Sequence, residues 1–585
     1  MAGLFLARND DPASAESALG AARAAFAAQG FPAPITHALP GWSLLHFPYI
    51  LGGPEGSLAR GDELAAVAGT PVVDGKFGRP ALEALLAMDP LALDWDRLGG
   101  QFVALVRRDG RTFLFGDYFS AFQLFRDIGD DRGGRLFSTS FLAAAQALPR
   151  VGFDPQGVYE LAFNVMPLGD ATVFAELKTL SPFEVIELTE RGTIRHRVEK
   201  PLPAAPSKLP LAEQIDRHRA PLARIVGAHV AQFGDGVRSP LSGGLDSRLV
   251  LAALREAGCR PELYVYGLPG DQDVEIAQAM GKALGFEVAW TDKYAETPPP
   301  DGFPEQVERN FHQFDGLPTF GNIFDNGAHG TTQLERHAGG ALVVSGGCGE
   351  IYRNFFYLPD RRFTAKDVAR TFFARFAPGD ATGAFDPHSF LDTIAAKIRV
   401  AVEPPAATGR LDRNRIEQIY PRIRCRALFG REISLEGRYS PYLMPFLDHR
   451  VVAQAMTIPL ALKHAGRFEA ALLNAIDPAL AAQPSAYGHD FTGPPGRKHR
   501  FGEWSTRIRP VWLRQHTYAL RRRLGPMGDE HGGLLEPDYM NRVIDPDFPA
   551  MRRFFRIEHI TDSGLWRRVA NLEYLAAKLG SRLAG

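Results

Sequence analysis

This chain of 585 residues has few cysteines, almost no net charge and no long apolar run. The only cysteines are Cys259, Cys348 and Cys425, and their wide spacing fits neither a disulfide framework nor a zinc site. Lys plus Arg (66) against Asp plus Glu (67) leaves a net charge of −1. This balance disfavours general binding to nucleic acid or to an anionic membrane. No run reaches the roughly 18 apolar residues of a membrane span, so we expect a cytoplasmic protein.

The remaining composition is that of a globular protein, with 45% hydrophobic and 23% charged residues. A chain of this length accommodates two or three domains. Three prolines, Pro201, Pro203 and Pro206, lie within residues 200–208, and such a stretch is incompatible with regular structure. We therefore predict two domains, residues 1–200 and residues 208–585.

The first domain has the patterns of a layered, β-rich structure. Asp109-Gly110 lies between two apolar runs, which is typical of a β-hairpin. Residues 183–188 alternate with a period of two, as a half-buried strand does. The alanine-rich residues 13–29 predict a helix.

The second domain alternates helices with short apolar strands, which indicates a parallel sheet. The predicted strands are residues 238–241, 262–266, 286–290 and 341–344. Glycine turns follow Leu241, Tyr266 and Val344, at the carboxyl ends of strands, where such sheets bind ligands. From about residue 365 the chain is mostly helical. The predicted fold class is α/β.

The segment Ser242-Gly243-Gly244-Leu245-Asp246-Ser247 carries the strongest chemical signal. Its glycines let the backbone approach an anion, and the helix that follows offers free N–H groups. Asp246 would repel phosphates unless a magnesium ion lay between them. The lysine of the Walker pattern is missing, so this is not an ordinary P-loop. A capped glycine turn is the alternative, but the complete string favours a nucleotide pyrophosphate site.

This string resembles the SGGxDS signature of the ATP-pyrophosphatase family, whose members adenylate a substrate and release pyrophosphate. Three further segments resemble its asparagine synthetase-like branch: residues 264–267 (YVYG), 345–351 (SGGCGEI) and 445–450 (PFLDHR). The resemblance implies ATP and Mg²⁺ as cofactors, with Asp246 and Glu350 as metal ligands. The nucleotide-binding residues that it implies are Leu241, Ser242, Gly243, Gly244, Asp246, Ser247, Tyr266, Gly267, Ser345, Gly346 and Gly347.

The N-terminus departs from this family. Asparagine synthetases begin Met-Cys, and the cysteine releases ammonia from glutamine, whereas this chain has Ala2. A methyl group cannot replace a thiolate nucleophile. Residues 99–102, 116–117 and 137–140 still resemble hairpins of the glutaminase domain. The resemblance thus implies an inactive, Ntn-hydrolase-like glutaminase fold, followed by an adenine nucleotide α-hydrolase-like domain that uses ammonia or an amine.

Two catalytic residues follow from the resemblance. Residues 497–502 resemble the segment that carries the family's catalytic lysine, which identifies Lys498. Its ammonium would offset negative charge that develops during acyl transfer. The alternative for Lys498 is an exposed basic loop. Glu436 resembles an acidic residue before PFLD, and an attacking amine needs such a base. Six residues separate Arg438 from Pro445, which departs from the family pattern.

Among the branches without glutaminase, residues 349–356 and 484–489 look most like lasso-peptide cyclases. Those enzymes adenylate an Asp or Glu side chain of a precursor peptide, and the peptide's N-terminal amine then closes a macrolactam. A precursor peptide, a leader peptidase and a leader-recognition protein are the partners that this implies. The alternatives are an ammonia-dependent asparagine synthetase, a β-lactam-synthetase-like ligase and an inactive scaffold.

Overall fold

The computed structural model describes residues 2–402, 409–525 and 535–584. It has a mixed α/β architecture, with antiparallel sheets in the first 200 residues, a parallel sheet after them and a largely helical C-terminal region. The predicted α/β class is confirmed at this level. Among the described residues, no helix combines the length and apolarity needed to cross a bilayer.

Fourteen strands build the antiparallel part of the described chain, and five build the parallel sheet. The antiparallel strands are β1 (Gly3–Arg8), β2 (Ile35–Leu39), β3 (Trp42–Phe47), β4 (Ser57–Arg60), β5 (Glu63–Gly69), β6 (Val72–Val73), β7 (Leu98–Gly99), β8 (Phe102–Arg108), β9 (Arg111–Gly116), β10 (Phe125–Asp127), β11 (Leu136–Ser138), β12 (Leu177–Thr179), β13 (Glu184–Thr189) and β14 (Gly192–Arg197). The parallel strands are β15 (Val237–Pro240), β16 (Glu262–Tyr266), β17 (Val288–Thr291), β18 (Leu342–Val344) and β19 (Tyr442–Leu443).

The helices of the first half are α1 (Pro12–Ala28), α2 (Gly78–Ala87), α3 (Phe141–Ala147), α4 (Pro155–Asn164), α5 (Leu211–Phe233), α6 (Leu245–Glu256) and α7 (Gln272–Leu284). Those that follow are α8 (Phe303–Gln313), α9 (Ala328–His337), α10 (Ala365–Val368), α11 (Pro387–Val402), α12 (Arg413–Ile419), α13 (Gly430–Glu436), α14 (His449–Ala455), α15 (Leu460–Lys463) and α16 (Arg467–Ile476). The last are α17 (Pro478–Ala481), α18 (Arg497–Ile508), α19 (Val511–Arg514), α20 (Thr517–Leu524), α21 (Pro537–Met540) and α22 (Ser563–Leu579). A π-helix over Tyr420–Phe429 joins α12 to α13.

The two six-stranded antiparallel sheets pack face to face, with strand orders β12-β10-β11-β1-β3-β2 and β14-β13-β9-β8-β5-β4, and β6 and β7 form a separate pair. Successive side chains of a strand point to opposite faces. His46 therefore faces the second sheet and contacts the Val67 carbonyl at 2.8 Å, whereas Phe47 faces α1 and stacks on Phe26. Helix α2 covers the outer face of the second sheet through residues such as Leu82. The result is a four-layered helix–sheet–sheet–helix structure.

The local patterns predicted in this part are confirmed. Asp109 and Gly110 form the turn between β8 and β9, with φ of 49° and 73°. Both values lie in the left-handed region, which Gly and Asp tolerate better than most residues. The predicted strand 183–188 is β13, shifted by one residue, and the predicted alanine-rich helix is α1.

The parallel sheet has the strand order β17-β16-β15-β18-β19. The chain builds outward from β15 to β17 and then returns to the other side of β15 for β18 and β19. This reversal opens a crevice at the carboxyl ends of β15 and β18, where doubly wound sheets bind ligands. The four predicted strands are all present, and the short strand β19 was not predicted.

The two parts of the chain are joined by buried polar contacts around Asp315. Its Oδ2 accepts hydrogen bonds from the Phe141 N–H at 2.7 Å and from Arg431 at 3.1 Å. Its Oδ1 accepts one from the Ser140 hydroxyl at 2.6 Å. Residues 198–210 form no helix or strand, so regular structure does pause at the predicted boundary. The domain limits themselves stay a prediction.

Candidate active site

Two glycine loops meet in the crevice at the carboxyl ends of β15 and β18, where the direction of the strand order changes. Residues 242–244 connect β15 to α6, and residues 345–349 follow β18. A Cβ atom added to Gly349 would lie 1.9 Å from Asp246 Oδ1, and one added to Gly346 would lie 3.0 Å from the Ser247 nitrogen. Glycine is therefore required for this approach. The structure brings the two predicted pyrophosphate-binding segments into direct contact.

The first loop is held by hydroxyl and carboxylate groups. The Ser247 hydroxyl accepts a hydrogen bond from the Ser242 N–H at 3.1 Å, and the Gly244 N–H donates to the Ser242 hydroxyl at 3.3 Å. The Gly243 N–H donates to Asp273 Oδ1 at 2.8 Å. One backbone N–H group of the proposed phosphate-binding loop therefore already donates to a carboxylate. Asp273 was not predicted, because it lies 30 residues away from Gly243 in the chain.

Asp246 belongs to a charge cluster in which Glu469 is buried and Asp246 and Arg353 are half-buried. Arg353 pairs with Asp246 at 2.7 Å and with Glu469 at 2.8 Å. Burial raises the pKa of Glu469 well above its usual value; Arg353 opposes this rise and Asp246 adds to it. Among the described residues, no hydrogen-bond partner reaches Glu469 Oε1. Arg353 and Glu469 were not predicted, because neither lies near Asp246 in sequence.

The charges around the second loop suit a divalent cation. Glu350 follows Gly349 and accepts a hydrogen bond from the Tyr420 hydroxyl. The pKa of Tyr487 is raised, chiefly by burial, and is also affected by Arg353, Glu469, Asp246 and Glu350. Asp246 and Glu350 are thus the carboxylates that the two loops contribute, and Arg353 lies beside Asp246.

Carboxylates on two adjoining loops are the kind of ligand that a magnesium ion prefers, together with phosphate oxygens. Within the described chain, no group of three or more His, Cys, Asp or Glu side chains is placed to hold a metal. A magnesium ion bound by Asp246 and Glu350 would need phosphate oxygens or water for the rest of its coordination shell. The metal role of Asp246 and Glu350 stays a prediction.

The other predicted nucleotide-binding residues lie at the same edge of the sheet. Leu241 is buried and donates its N–H to the Tyr264 carbonyl at 2.9 Å. Gly267 follows β16, and its carbonyl accepts from the Trp290 indole at 2.9 Å. A Cβ on Gly347 would lie 2.7 Å from the Met444 side chain, so this glycine permits tight packing.

A cavity of about 200 Å³ opens at the ends of β15, β16, β18 and β19, and we call it the strand-edge cavity. Tyr266 and Ser345, both predicted to bind the nucleotide, lie on its wall. Its volume is below the range of about 300–1,000 Å³ that is usual for small-molecule sites. It therefore suits a compact group better than a whole nucleotide. Its charged lining residues are Lys293, Arg336, Glu432 and Glu436.

Glu436, the predicted base, is held by an ion pair. Arg336 donates to both of its carboxylate oxygens, His337 contacts Oε2 at 2.9 Å, and Gln333 donates to Oε1 at 2.6 Å. The pKa of Glu436 is held well below its usual range, since Arg336 and His337 outweigh the effect of burial. A carboxylate bound in this way is a poor proton acceptor. Its role as the base stays a prediction, and these contacts favour a structural role.

Glu432 lies one helical turn before Glu436 on α13 and lines the same cavity. It accepts a hydrogen bond from the Tyr442 hydroxyl at 2.8 Å. Burial raises the pKa of Glu432 to about 7, and the charge of Glu436 adds to the rise. A group with this pKa exchanges a proton near neutral pH, as a general base must. The sequence signal was the spacing of four residues, which places both carboxylates on one helix face.

Lys293 follows β17 and brings a cation to the strand-edge cavity. Its ammonium lies 4.0 Å from the centre of the Tyr266 ring. Burial lowers the pKa of Lys293 to about 8. No carboxylate of the described chain lies within 4.0 Å of this ammonium. Lys293 can therefore receive an anionic group of a ligand, which its place at a strand end could have suggested.

A second cavity, of about 340 Å³, adjoins the charge cluster, and we call it the loop cavity. Leu245, Glu350 and Arg353 line one side, and Tyr487 and His499 lie among the other lining residues. The predicted lysine, Lys498, precedes His499 at the start of α18 and is exposed. Its neighbour thus lines the cavity, but Lys498 itself does not belong to the wall.

The second loop also contains one of the three cysteines. Cys348 is fully buried, and its thiol lies 3.5 Å from the Met444 sulfur. Burial raises the pKa of the Cys348 thiol well above its usual value, and Cys425 adds to the rise. Because the thiolate is the nucleophilic form, Cys348 acts as a packing residue.

No family model and no curated protein matches this chain. A solved structure of glutamine phosphoribosylpyrophosphate amidotransferase from B. subtilis, complexed with ADP and GMP, matches with a TM-score of 0.23 and 11% identity. It covers 50% of this chain, which spans 65% of that one. A structure of the allosteric regulatory enzyme of purine biosynthesis matches with a TM-score of 0.23 and 12% identity, over 50% of this chain and 75% of that one. Likenesses this weak assign neither a family nor an activity.

Proposed function

We propose that the protein is an ATP-dependent, AMP-forming carbon–nitrogen ligase of the asparagine synthetase-like class. The observation that carries this proposal is the contact between the two glycine loops, where Asp246 lies against Gly349 at the reversal of strand order. In this proposal, residues 1–200 are a glutaminase-like, Ntn-hydrolase-like domain without its original activity. The remaining chain is an adenine nucleotide α-hydrolase-like domain with a helical C-terminal part.

Anion binding by the first loop supports the nucleotide part of the proposal. The Gly243 N–H already binds the carboxylate of Asp273, and phosphate oxygens offer the same kind of acceptor. Ser242 and Ser247 add hydroxyl donors beside it. Asp246 and Glu350 would hold a magnesium ion, which when bound supplies positive charge against the phosphates.

The reaction then has two steps. A carboxylate oxygen of the substrate attacks the α-phosphorus of ATP, and pyrophosphate leaves. An amine nitrogen next attacks the acyl carbon, AMP leaves and the nitrogen loses a proton. Glu432 suits the role of proton acceptor, since its pKa is about 7. Lys498 would offset negative charge on the reacting carboxyl and phosphate groups.

The N-terminal domain supports a nitrogen donor other than glutamine, because it lacks the cysteine that would release ammonia from glutamine. Ala2 is buried, and its N–H donates to the Phe47 carbonyl at 2.9 Å, so a methyl group stands at this position. All three cysteines of the chain lie beyond residue 250. We therefore propose a precursor peptide as substrate, in which an Asp or Glu side chain is adenylated and the N-terminal amine closes a macrolactam. A leader peptidase would free that amine, and a leader-recognition protein would present the peptide.

A second candidate is ammonia-dependent asparagine synthesis, which the size and charge of the strand-edge cavity favour. A volume of about 200 Å³ with Lys293 on its wall suits a small amino acid. Incubation with aspartate, ATP and ammonium separates the two candidates. Formation of asparagine would establish the second candidate and exclude the macrolactam.

The test of the first candidate uses a leader-free peptide encoded beside the gene, with ATP and magnesium. We expect the peptide to lose the mass of one water molecule while one AMP forms for each ring. Asp246→Ala and Lys498→Ala should abolish ring closure, whereas the exposed controls Asp235→Ala and Lys282→Ala should not. A near wild-type rate in Asp246→Ala or in Lys498→Ala would contradict the role of that residue.

A further inference from the structure

Three consecutive helices after residue 496 contribute little to the core, where only Val511 packs as a partly buried side chain. Helices α18, α19 and α20 have no buried residue. Two aromatic side chains of α18, Phe501 and Trp504, are 65% and 46% exposed, and their ring centres lie 5.7 Å apart. Large apolar side chains exposed as a group mark binding surfaces more often than chance. This helix therefore exposes its aromatic face to solvent.

That face forms one wall of an open groove of about 940 Å³, which we call the arginine groove. Arg497, Arg500, Phe501, Trp504 and Arg507 of α18 recur at helical spacing and all line it. The opposite wall contains His464, Ala465, Arg467, Pro494 and Pro495. The groove thus combines four guanidinium groups with an apolar strip.

Three of the four arginines in this groove have no acidic partner among the described residues. Arg467, Arg497 and Arg500 have no carboxylate of the described chain within 4.0 Å. Glu503 is the acidic residue on the groove wall, and it lies 3.9 Å from Arg507. One oxygen of Glu503 already accepts a hydrogen bond from the Ala465 N–H. Three arginines therefore remain available for an anionic ligand.

The arginine groove continues into the active site. Ala465 and Glu503 line both the groove and the loop cavity, so the two spaces meet at these residues. The loop cavity reaches Arg353, which pairs with Asp246. A chain lying in the groove would consequently have one end directed toward the proposed adenylation site.

We infer that the arginine groove is the docking site for an extended acidic peptide segment that also carries apolar side chains. The inference rests on the proposed function, because the groove opens onto the cavity where a peptide carboxylate would react. Carboxylates would pair with Arg467, Arg497 and Arg500, whose planar guanidinium groups suit bidentate contacts. Apolar side chains would pack on Phe501 and Trp504. The net charge of −1 makes this local positive surface stand out from the rest of the chain.

Fluorescence anisotropy tests the docking without ATP. The probe is a labelled peptide of alternating Glu and Leu residues, and its twin has Gln at every Glu. We expect the Glu peptide to bind, and the twin to bind at least about tenfold more weakly because charge-assisted hydrogen bonds are lost. The double variants Arg497→Glu/Arg500→Glu and Arg497→Gln/Arg500→Gln should each weaken binding about tenfold or more.

The matched control is Arg521→Glu/Arg523→Glu, which reverses two exposed arginines of α20 outside the groove and should bind as the wild type does. Circular dichroism establishes whether each variant is folded. If Arg497→Glu/Arg500→Glu does not fold, Arg497→Gln/Arg500→Gln provides the test. Equal binding of the two peptides, no binding of the Glu peptide, or undiminished binding by the folded Gln variant would each overturn the inference. Tighter binding of an oligothymidylate or of anionic vesicles than of the Glu peptide would overturn it in favour of those ligands.

The docking assay and the proposed function can fail independently. If the Glu peptide binds in the groove but no AMP forms with any peptide, the ligase proposal fails and the docking site remains. If AMP forms with a peptide at the wild-type rate in the folded Arg497→Gln/Arg500→Gln variant, the docking site fails and the ligase proposal remains.

Discussion

Two aspartates, Asp117 buried and Asp246 half-buried, show how differently the two parts of the molecule use negative charge. Asp117 follows β9, and its carboxylate accepts hydrogen bonds from the N–H groups of Phe119, Ala121 and Phe122, at 3.0, 3.0 and 2.9 Å. Burial raises its pKa, while these backbone donors oppose the rise. Most of the hydrogen bonds that this carboxylate accepts come from the loop that follows β9, so Asp117 stabilises the conformation of that loop.

Asp246 also follows a strand closely, but its surroundings differ. Its partner is the side chain of Arg353, from a distant loop that borders a cavity. A side-chain partner can move when a ligand arrives, whereas a backbone partner cannot move without local unfolding. We therefore expect a carboxylate whose partners are side chains at a cavity to be the better candidate for a functional site.

The largest expected effect comes from Asp246→Ala. AMP formation should fall by a factor on the order of 10²–10³, because a preorganised electrostatic contact at the reacting phosphates is lost. Release of pyrophosphate from ATP measures it. The folded protein should keep its thermal midpoint to within a few degrees, and Asp235→Ala is the matched control. A large loss of stability with unchanged AMP formation would show that Asp246 has a structural role, as Asp117 does.

Asp117→Ala should do the opposite. It leaves several backbone N–H groups buried without an acceptor, so the free energy of unfolding should fall by roughly 3–5 kcal/mol. Urea unfolding measures this change, with the exposed Asp131→Ala as control. AMP formation per folded molecule should stay at the wild-type level. A loss of AMP formation without a loss of stability would remove the distinction between the two aspartates.

Glu432→Gln should change the pH dependence of the rate. Glu432 acts as a base only when it is ionised, so the wild-type rate should rise with pH through about 7 and then level off. In Glu432→Gln this rise should disappear, and in Glu432→Asp it should persist. Rates of product formation from pH 5 to about 9 check this, and the comparison of variants separates Glu432 from the amines and histidines that titrate in the same range. An unaltered rise in Glu432→Gln would assign the base to another residue.

The smallest effect concerns Cys348 on the second glycine loop. Because burial suppresses its thiolate, iodoacetamide should leave the native protein active. Mass spectrometry of the tryptic peptides should show no label on Cys348 before urea treatment and full label after it. Rapid labelling with loss of AMP formation would show that the second loop opens, contrary to the packing described above.

Local patterns in the sequence predicted much of the fold. Strand β16 has the predicted bounds, and helix α1 and strand β13 differ from the predicted bounds by one residue, because their periodicity and flanking turns are clear. Strand β19 was missed because two residues are too few for a period to be visible, although its neighbour β18 was found. The glycine loops were placed correctly at the carboxyl ends of β15 and β18, since the βαβ pattern determines that edge.

The polar partners within the site could not be predicted in the same way. Arg353 reaches Asp246 across 107 residues, and nothing local in either segment indicates the pair. Glu432 and Glu436 share one helix face, yet only the fold reveals that Arg336 neutralises the second and leaves the first with a raised pKa. Such choices depend on which distant side chains the packing brings together.

The central claim is that the site at the carboxyl ends of the parallel strands cleaves ATP to activate a carboxylate. ATP labelled on the α-phosphate tests this claim most directly. The protein is incubated with magnesium and the peptide substrate, and the labelled products are separated. We predict AMP as the labelled product, in a one-to-one ratio to pyrophosphate and to the amide formed. Labelled ADP with release of phosphate, or amide formation without cleavage of ATP, would contradict the account.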